Sequence, residues 1–157
     1  VSTFGTTTTH TGGRGVMASK DGRPDWKVGG ITIDWSTVTA TVADVTLADG
    51  RIVKTGDKYL RYGKVLCRIT ASGKFGPYEA LAADGREDLI PGECFILNKT
   101  VVLSDPGSDH PAVFDGGWVW SERITDIADV GDHQEANPAI ADLRTAFPRI
   151  AGWAATD

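Results

Sequence analysis

Sulfur and histidine are scarce in this chain: of 157 residues, two are cysteine, one is methionine and three are histidine. Two cysteines exclude the disulfide frameworks that hold small secreted domains together. A chain of this length buries roughly 68–70% of its unfolded surface and needs no such staple. Cys67 and Cys94 stand 27 positions apart in apolar, strand-like runs, with no CxxC partner. They read as buried free thiols, with a disulfide as the alternative. A metal site would need closely spaced ligand pairs, and none of the five His and Cys residues is so paired, so neither metal nor cofactor is expected. Long apolar runs are missing too, since Gly, Thr and Ser interrupt every uncharged stretch well short of the roughly 18 residues of a membrane span. No basic stretch followed by an apolar run opens the chain, so no signal peptide is expected in it. An excess of positive charge is also absent. With 16 Lys and Arg against 21 Asp and Glu the net charge is −5, which argues against a nucleic-acid partner.

What is abundant is turn-forming residues. Nineteen glycines and seven prolines make up about one residue in six, against an average near 12%, and favour short strands and many turns over a helical bundle. The apolar fraction of 41% and charged fraction of 24% are ordinary for one globular domain. The charge is unevenly placed: residues 1–60 carry seven basic and six acidic groups, residues 61–103 six and five, and residues 104–157 three and ten. The acidic C-terminal third reads as a solvated face.

Residues 1–30 read as an extended N-terminal arm. Thr6-Thr7-Thr8-Thr9 and Gly12-Gly13-Arg14-Gly15 are followed by only scattered apolar residues, with no helical or strand period and too little apolar surface to offset the entropy of ordering. The arm is either a flexible tail or a segment that orders on a partner. From Ile31 the texture changes. Ile31, Ile33 and Trp35 alternate with Thr32 and Asp34, and Val38, Ala40 and Val42 alternate with threonines, as in strands. The apolar phase flips after Ala43-Asp44, which predicts a bulge or bend, and Asp49-Gly50 predicts a hairpin turn before Arg51-Ile52-Val53. A second hairpin places Val65, Cys67 and Ile69 on one face, turns at Ser72-Gly73 and returns through Phe75 and Tyr78. Asp84-Gly85 and Pro91-Gly92 punctuate the next stretch. Further strands are expected at Cys94–Leu97, Val101–Leu103 and Ala112–Phe114, then a turn at Asp115-Gly116-Gly117 before Trp118-Val119-Trp120. One helix is expected around residues 138–147, with Asn137 as N-cap, Pro138 at the first position, Ile140, Leu143 and Phe147 on one face, and Pro148 as terminator. Together these predict a mainly β domain over residues 31–157, with one C-terminal helix.

Catalytic constellations are few. His10 lies in the arm, His110 in a Ser-Asp-His-Pro turn and His133 in a Gly-Asp-His loop. HExxH, GxSxG and the P-loop are absent, and the Gly12–Gly15 stretch has no following helix to complete an anion cradle. Asn98-Lys99-Thr100 matches a glycosylation sequon but falls between expected strands. Trp118 and Trp120 fall on one face of one strand. Large aromatics so placed fill a core or subunit interface, or, if exposed, stack on sugar rings.

From Lys58 to Gly85 the residues carry a resemblance. Gly63-Lys64-Val65-Leu66-Cys67-Arg68-Ile69-Thr70, Ser72-Gly73-Lys74-Phe75, Pro77-Tyr78 and Asp84-Gly85, followed by Phe95-Ile96-Leu97, resemble the lambda-type head decoration (capsid cement) proteins of tailed bacteriophages. Val113-Phe114-Asp115-Gly116-Gly117-Trp118-Val119 is similar to a later segment of that family. The resemblance covers about residues 50–125, each motif being a turn or strand in its own right. The longer N-terminal segment and the helix after Asn137 depart from the smaller members. The resemblance implies a small β-barrel or β-tulip-like domain, a homotrimer, and a virion-surface role. The partner would be the major capsid protein, bound at threefold or quasi-threefold sites on the expanded head, with no enzymatic step, no nucleic acid and no membrane. Phe4, Arg14, Val16 and Met17 are then the candidate capsid contacts in the arm. Two rival readings are a virion-surface carbohydrate-binding module using Trp118 and Trp120, and a small trimeric β enzyme using His110 or His133 with Asp109 or Asp132.

Overall fold

The computed structural model of the protein describes residues 26–27, 29–47, 49–120, 124 and 137–154. A 3-10 turn at Trp35–Thr37 precedes the short strands β1 (Val45–Thr46), β2 (Ile52–Val53), β3 (Tyr59–Leu60), β4 (Val65–Arg68), β5 (Phe75–Pro77), β6 (Cys94–Leu97), β7 (Val101–Val102), β8 (Val113–Phe114) and β9 (Gly116–Trp120). Helix α1 (Ile140–Ala146) and strand β10 (Arg149–Ala154) follow. The protein is mainly β, with α1 near the C-terminus, and its sheets are open.

The centre is a four-stranded antiparallel sheet in the order β5-β4-β6-β8. Its strands are buried on both sides, so β6 reads as a continuous apolar run. On one face Val65, Cys67, Cys94, Ile96 and Phe114 pack against Val119 of β9, Ile124, Leu143 and Ala146 of α1, its C-cap Phe147, and Ile150 of β10. On the other face Leu66, Phe75, Phe95, Leu97 and Val113 pack against Ile31, Ile33, Trp35, Val38 and Leu60. The domain is therefore three layers deep: helix and ribbon, central sheet, and an irregular N-terminal segment. A smaller cluster of Val45, Val53, Tyr59 and Val102 sits under the β1–β2 hairpin and the β3–β7 pair.

The expected hairpins form where their turn residues stand. Gly50 and Gly73 adopt φ of 90° and 71°, the left-handed region that a side chain disfavours. The chain bends at Val42-Ala43, just ahead of the expected position after Ala43-Asp44, and the strands at Cys94, Val101 and Val113 also form. Three expectations are corrected. The alternating run Val38–Val42 forms no strand and leaves Val42 exposed. The run Ile31–Trp35 buries its apolar residues, yet it pairs through a single parallel bridge, Ile33 to Phe75, and then tightens into the 3-10 turn. Asp34 drives that change: its carboxylate accepts from the Ser36 N–H at 3.0 Å and the Ser36 hydroxyl at 2.6 Å, and an Asx turn competes with strand pairing. The expected turn at 115–117 is only a break at Asp115. β9 starts at Gly116 and runs parallel to β10, a strand the sequence did not announce.

The third correction concerns the helix. It starts at Ile140 with Ala139 as an N-cap that makes no side-chain bond. Asn137 is occupied elsewhere. Its Oδ1 accepts from the Val65 N–H at 3.0 Å, and its Nδ2 donates to the carbonyls of Gly63 at 2.7 Å and Ile124 at 2.6 Å. Burial makes three bonds to otherwise orphaned backbone groups worth more than one cap bond. The buried face is as expected, with Leu143 and Phe147 enclosed and Ile140 packed at the margin.

Candidate functional site

The two open edges of the central sheet are where this domain meets extended chain. At the β8 edge Trp26 bridges to Phe114, and the Lys27 N–H donates to the Val113 carbonyl at 2.9 Å. The Trp26 ring stands edge-on to Phe114, with centroids 6.1 Å apart, and remains 45% exposed. At the β5 edge the Phe75 N–H donates to Thr32 O and the Asp34 N–H to Phe75 O, both at 2.8 Å. Residues 26–34 thus pass from one sheet edge to the other, using main-chain pairing at both. The candidate arm contacts Phe4, Arg14, Val16 and Met17 lie outside the described residues.

The histidine reading separates into its parts. His110 is exposed, and its Nδ1 lies 3.3 Å from both Thr32 Oγ1 and the Ile31 carbonyl. Its neighbour Asp109 contributes a backbone carbonyl that accepts from the Ile33 N–H at 2.9 Å. This corner therefore fastens the N-terminal segment to the 105–110 turn. His133 and Asp132 lie outside the described residues, as do the side chains of Trp118 and Trp120. Asn98 lies between β6 and β7, as the sequon reading anticipated.

Charged groups inside the domain were not singled out by sequence. Arg86 is nearly buried. Its guanidinium pairs with Glu79 at 3.0 Å and with Asp84 at 3.0 Å, and donates to the Pro77 carbonyl at 3.3 Å. It lies across Gly76, where an added Cβ would come within 2.7 Å of the Arg86 side chain and 2.5 Å of Thr37 Oγ1. The Asp84-Gly85 turn is as tight, since a Cβ at Gly85 would meet Thr70 Oγ1 at 2.5 Å. Together these groups pin the long β5–β6 connection to the sheet. Lys64 is fully enclosed at the start of β4. The signal for both was present, a charged residue inside an apolar or turn-rich run, but such residues usually face solvent.

The thiols are also brought together. Cys67 and Cys94 are directly opposite each other on β4 and β6, free and fully buried. The Cys67 thiol is pushed up by its hydrogen bond to Cys94 and by burial, while the same bond holds Cys94 below the ordinary thiol value. Among the described residues no group of three or more His, Cys, Asp or Glu could hold a metal ion, and no helix is long and apolar enough to cross a membrane. The chain matches no protein-family model, no curated protein and no solved structure.

Proposed function

We propose that this chain is a structural capsid decoration protein of a tailed bacteriophage. In this reading it is a homotrimer on the outer surface of the expanded head, at threefold or quasi-threefold sites, bound to the major capsid protein. One observation carries the reading. The residues that bear the resemblance, from Gly63 through Asp84-Gly85 to Leu97, are consecutive parts of one unit: β4, its turn, β5, the pinned connection and β6. A motif spread over unrelated surface turns would carry less weight.

The mechanism is mechanical. A ligand that binds only the expanded lattice stabilises it by mass action, so each bound trimer raises the free energy needed to disrupt the shell under DNA pressure. The domain supplies a stiff body, its sheet covered on both faces. The arm supplies reach: its backbone donors and acceptors add a strand to an exposed capsid edge, Phe4, Val16 and Met17 fill shallow pockets, and Arg14 pairs with a capsid carboxylate. Cyclic symmetry uses the same surface three times around each site.

The test is to mix purified full-length protein with expanded and unexpanded heads of its source phage and image both by electron cryomicroscopy. Threefold density on expanded heads alone is the expected result. Failure to bind either head, together with retention on a glycan column, would transfer the chain to the carbohydrate-binding reading.

A further inference from the structure

We propose that Cys67 and Cys94 form a covalent latch, a cross-strand disulfide between β4 and β6 that the folded protein gains in an oxidising medium and loses to thiol reductants. The register supports it. The Arg68 N–H donates to Glu93 O at 3.1 Å and the Leu97 N–H to Lys64 O at 3.0 Å, so Arg68–Glu93 and Lys64–Leu97 are hydrogen-bonded pairs. Hydrogen-bonded and non-bonded pairs alternate along an antiparallel ladder. Leu66–Phe95 is therefore bonded, and Cys67–Cys94 falls on a non-bonded position. There the Cα atoms of facing residues stand about 4.5 Å apart and their side chains are closest, within the roughly 4.4–6.8 Å that a disulfide spans. The two side chains share one face of the sheet and stand directly opposite each other.

The step balances by thiol–disulfide exchange with a small oxidised disulfide such as glutathione disulfide. The Cys94 thiol, the more acidic of the two, loses its proton and attacks one sulfur of the oxidant, expelling one glutathione thiolate. The Cys67 thiolate then attacks Cys94 Sγ in the mixed disulfide and expels the second. Two protein thiols are oxidised and one external disulfide is reduced to two glutathione thiols, whose thiolates take up the two protons the cysteines lose. Access is gated, because both sulfurs are buried and the Cys94 thiol donates to the Ile90 carbonyl at 3.1 Å. Ile90 belongs to the connection between β5 and β6 and is 46% exposed. Lifting that connection opens the pair. Once formed, the bond closes a ring over residues 67–94 that holds β5 and the connection to β6. The inference stands on the sheet register and is independent of the proposed capsid role.

The test uses the full chain, kept folded and equilibrated in reduced and oxidised glutathione buffers of graded ratio, then trapped by alkylation and digested. The expected product in the oxidised buffers is an intramolecular peptide pair joining Cys67 to Cys94. It should be accompanied by a Tm rise of about 5–10 °C that dithiothreitol reverses and by slower hydrogen exchange in residues 78–93. The variant Cys67→Ala should show no redox-dependent Tm. If that variant does not fold, the peptide map of the unaltered chain decides alone. Two alkylated thiols at every ratio, a glutathione adduct that persists as the end product in place of the Cys67–Cys94 pair, or intermolecular dimers would each overturn the latch.

Discussion

The central sheet and the β1–β2 hairpin are built from similar β-branched runs, yet they are held together by different forces. In β4 and β6 every apolar side chain has a covering layer, and Val65, Leu66, Ile96 and Leu97 are fully enclosed. Among the described residues of the hairpin only Val45 and Val53 are buried, with Leu47 packed beside them, while Ile52 is 54% exposed and Val42, just upstream, 75%. The hairpin relies instead on its Asp49-Gly50 turn and on exposed ion pairs: Arg51 with Asp105 at 2.7 Å and with Asp49 at 3.1 Å, and Lys54 with Asp44 at 3.2 Å. Exposed pairs contribute about 0.2–1 kcal/mol each, whereas truncating one buried leucine costs about 2–5 kcal/mol. The same alphabet therefore yields a core in one place and a satellite in the other, because covering layers meet only over the sheet. Local opening should follow this difference, with the hairpin amides exchanging before those of β4 and β6 in native-state hydrogen exchange.

The sharpest way to break the comparison is to cut into each covering layer. Leu66→Ala and Leu143→Ala lie on opposite faces of the sheet and are both fully buried. Each should lower unfolding free energy by about 2–5 kcal/mol in urea titration. A loss below about 0.5 kcal/mol, as for surface changes, would show that α1 or the N-terminal layer is dispensable. Asn137→Ala should come next, at about 1–3 kcal/mol, because it strands the Val65 N–H and the Gly63 and Ile124 carbonyls away from solvent. Its circular dichroism should keep the α1 signal, since Asn137 is not the cap. Arg51→Ala should cost less than about 1 kcal/mol and lose even that in high salt. An effect as large as that of Leu66→Ala would make the hairpin part of the core.

Acid should have the smallest effect, and a local one. Asp44 accepts from the Thr55 N–H and hydroxyl, each at 2.9 Å, and these bonds with Lys54 hold its carboxyl below the ordinary value of 3.8. The Ser36 hydroxyl does the same for Asp34, aided by the Ser36 N–H. A folded-state value below the unfolded one means that the stabilisation is complete above about pH 4. It is lost as pH falls from there through the folded value. Hydrogen exchange at Thr55 should therefore rise below about pH 4 while β4 and β6 stay protected, and Asp44→Asn should remove that dependence.

Much of the fold was legible where a residue's local chemistry agreed with its place. Asp49-Gly50 and Ser72-Gly73 turn because glycine accepts positive φ, and the enclosed face of α1 follows from the spacing of Leu143 and Phe147. Other features misled because a local signal met a stronger distant demand. Asn137 has every property of an N-cap but serves β4. Asp34 ends a run whose alternation promised a strand. β10 was invisible because Ala151 and Gly152 carry little strand propensity, and its pairing with β9 is parallel and remote in sequence. The thiol pair was legible only as two apolar cysteines.

By itself the sequence determined a mainly β domain, the positions of its tight turns and the inward residues of most strands, because those properties depend on neighbours a few positions away. The tertiary structure alone decided that β4 and β6 would be covered on both faces, that Arg86 and Lys64 would be enclosed, and that Cys67 would stand opposite Cys94. Each of those outcomes depends on which strand lies beside which, and strand order is fixed by the packing of distant apolar faces, which no local window contains.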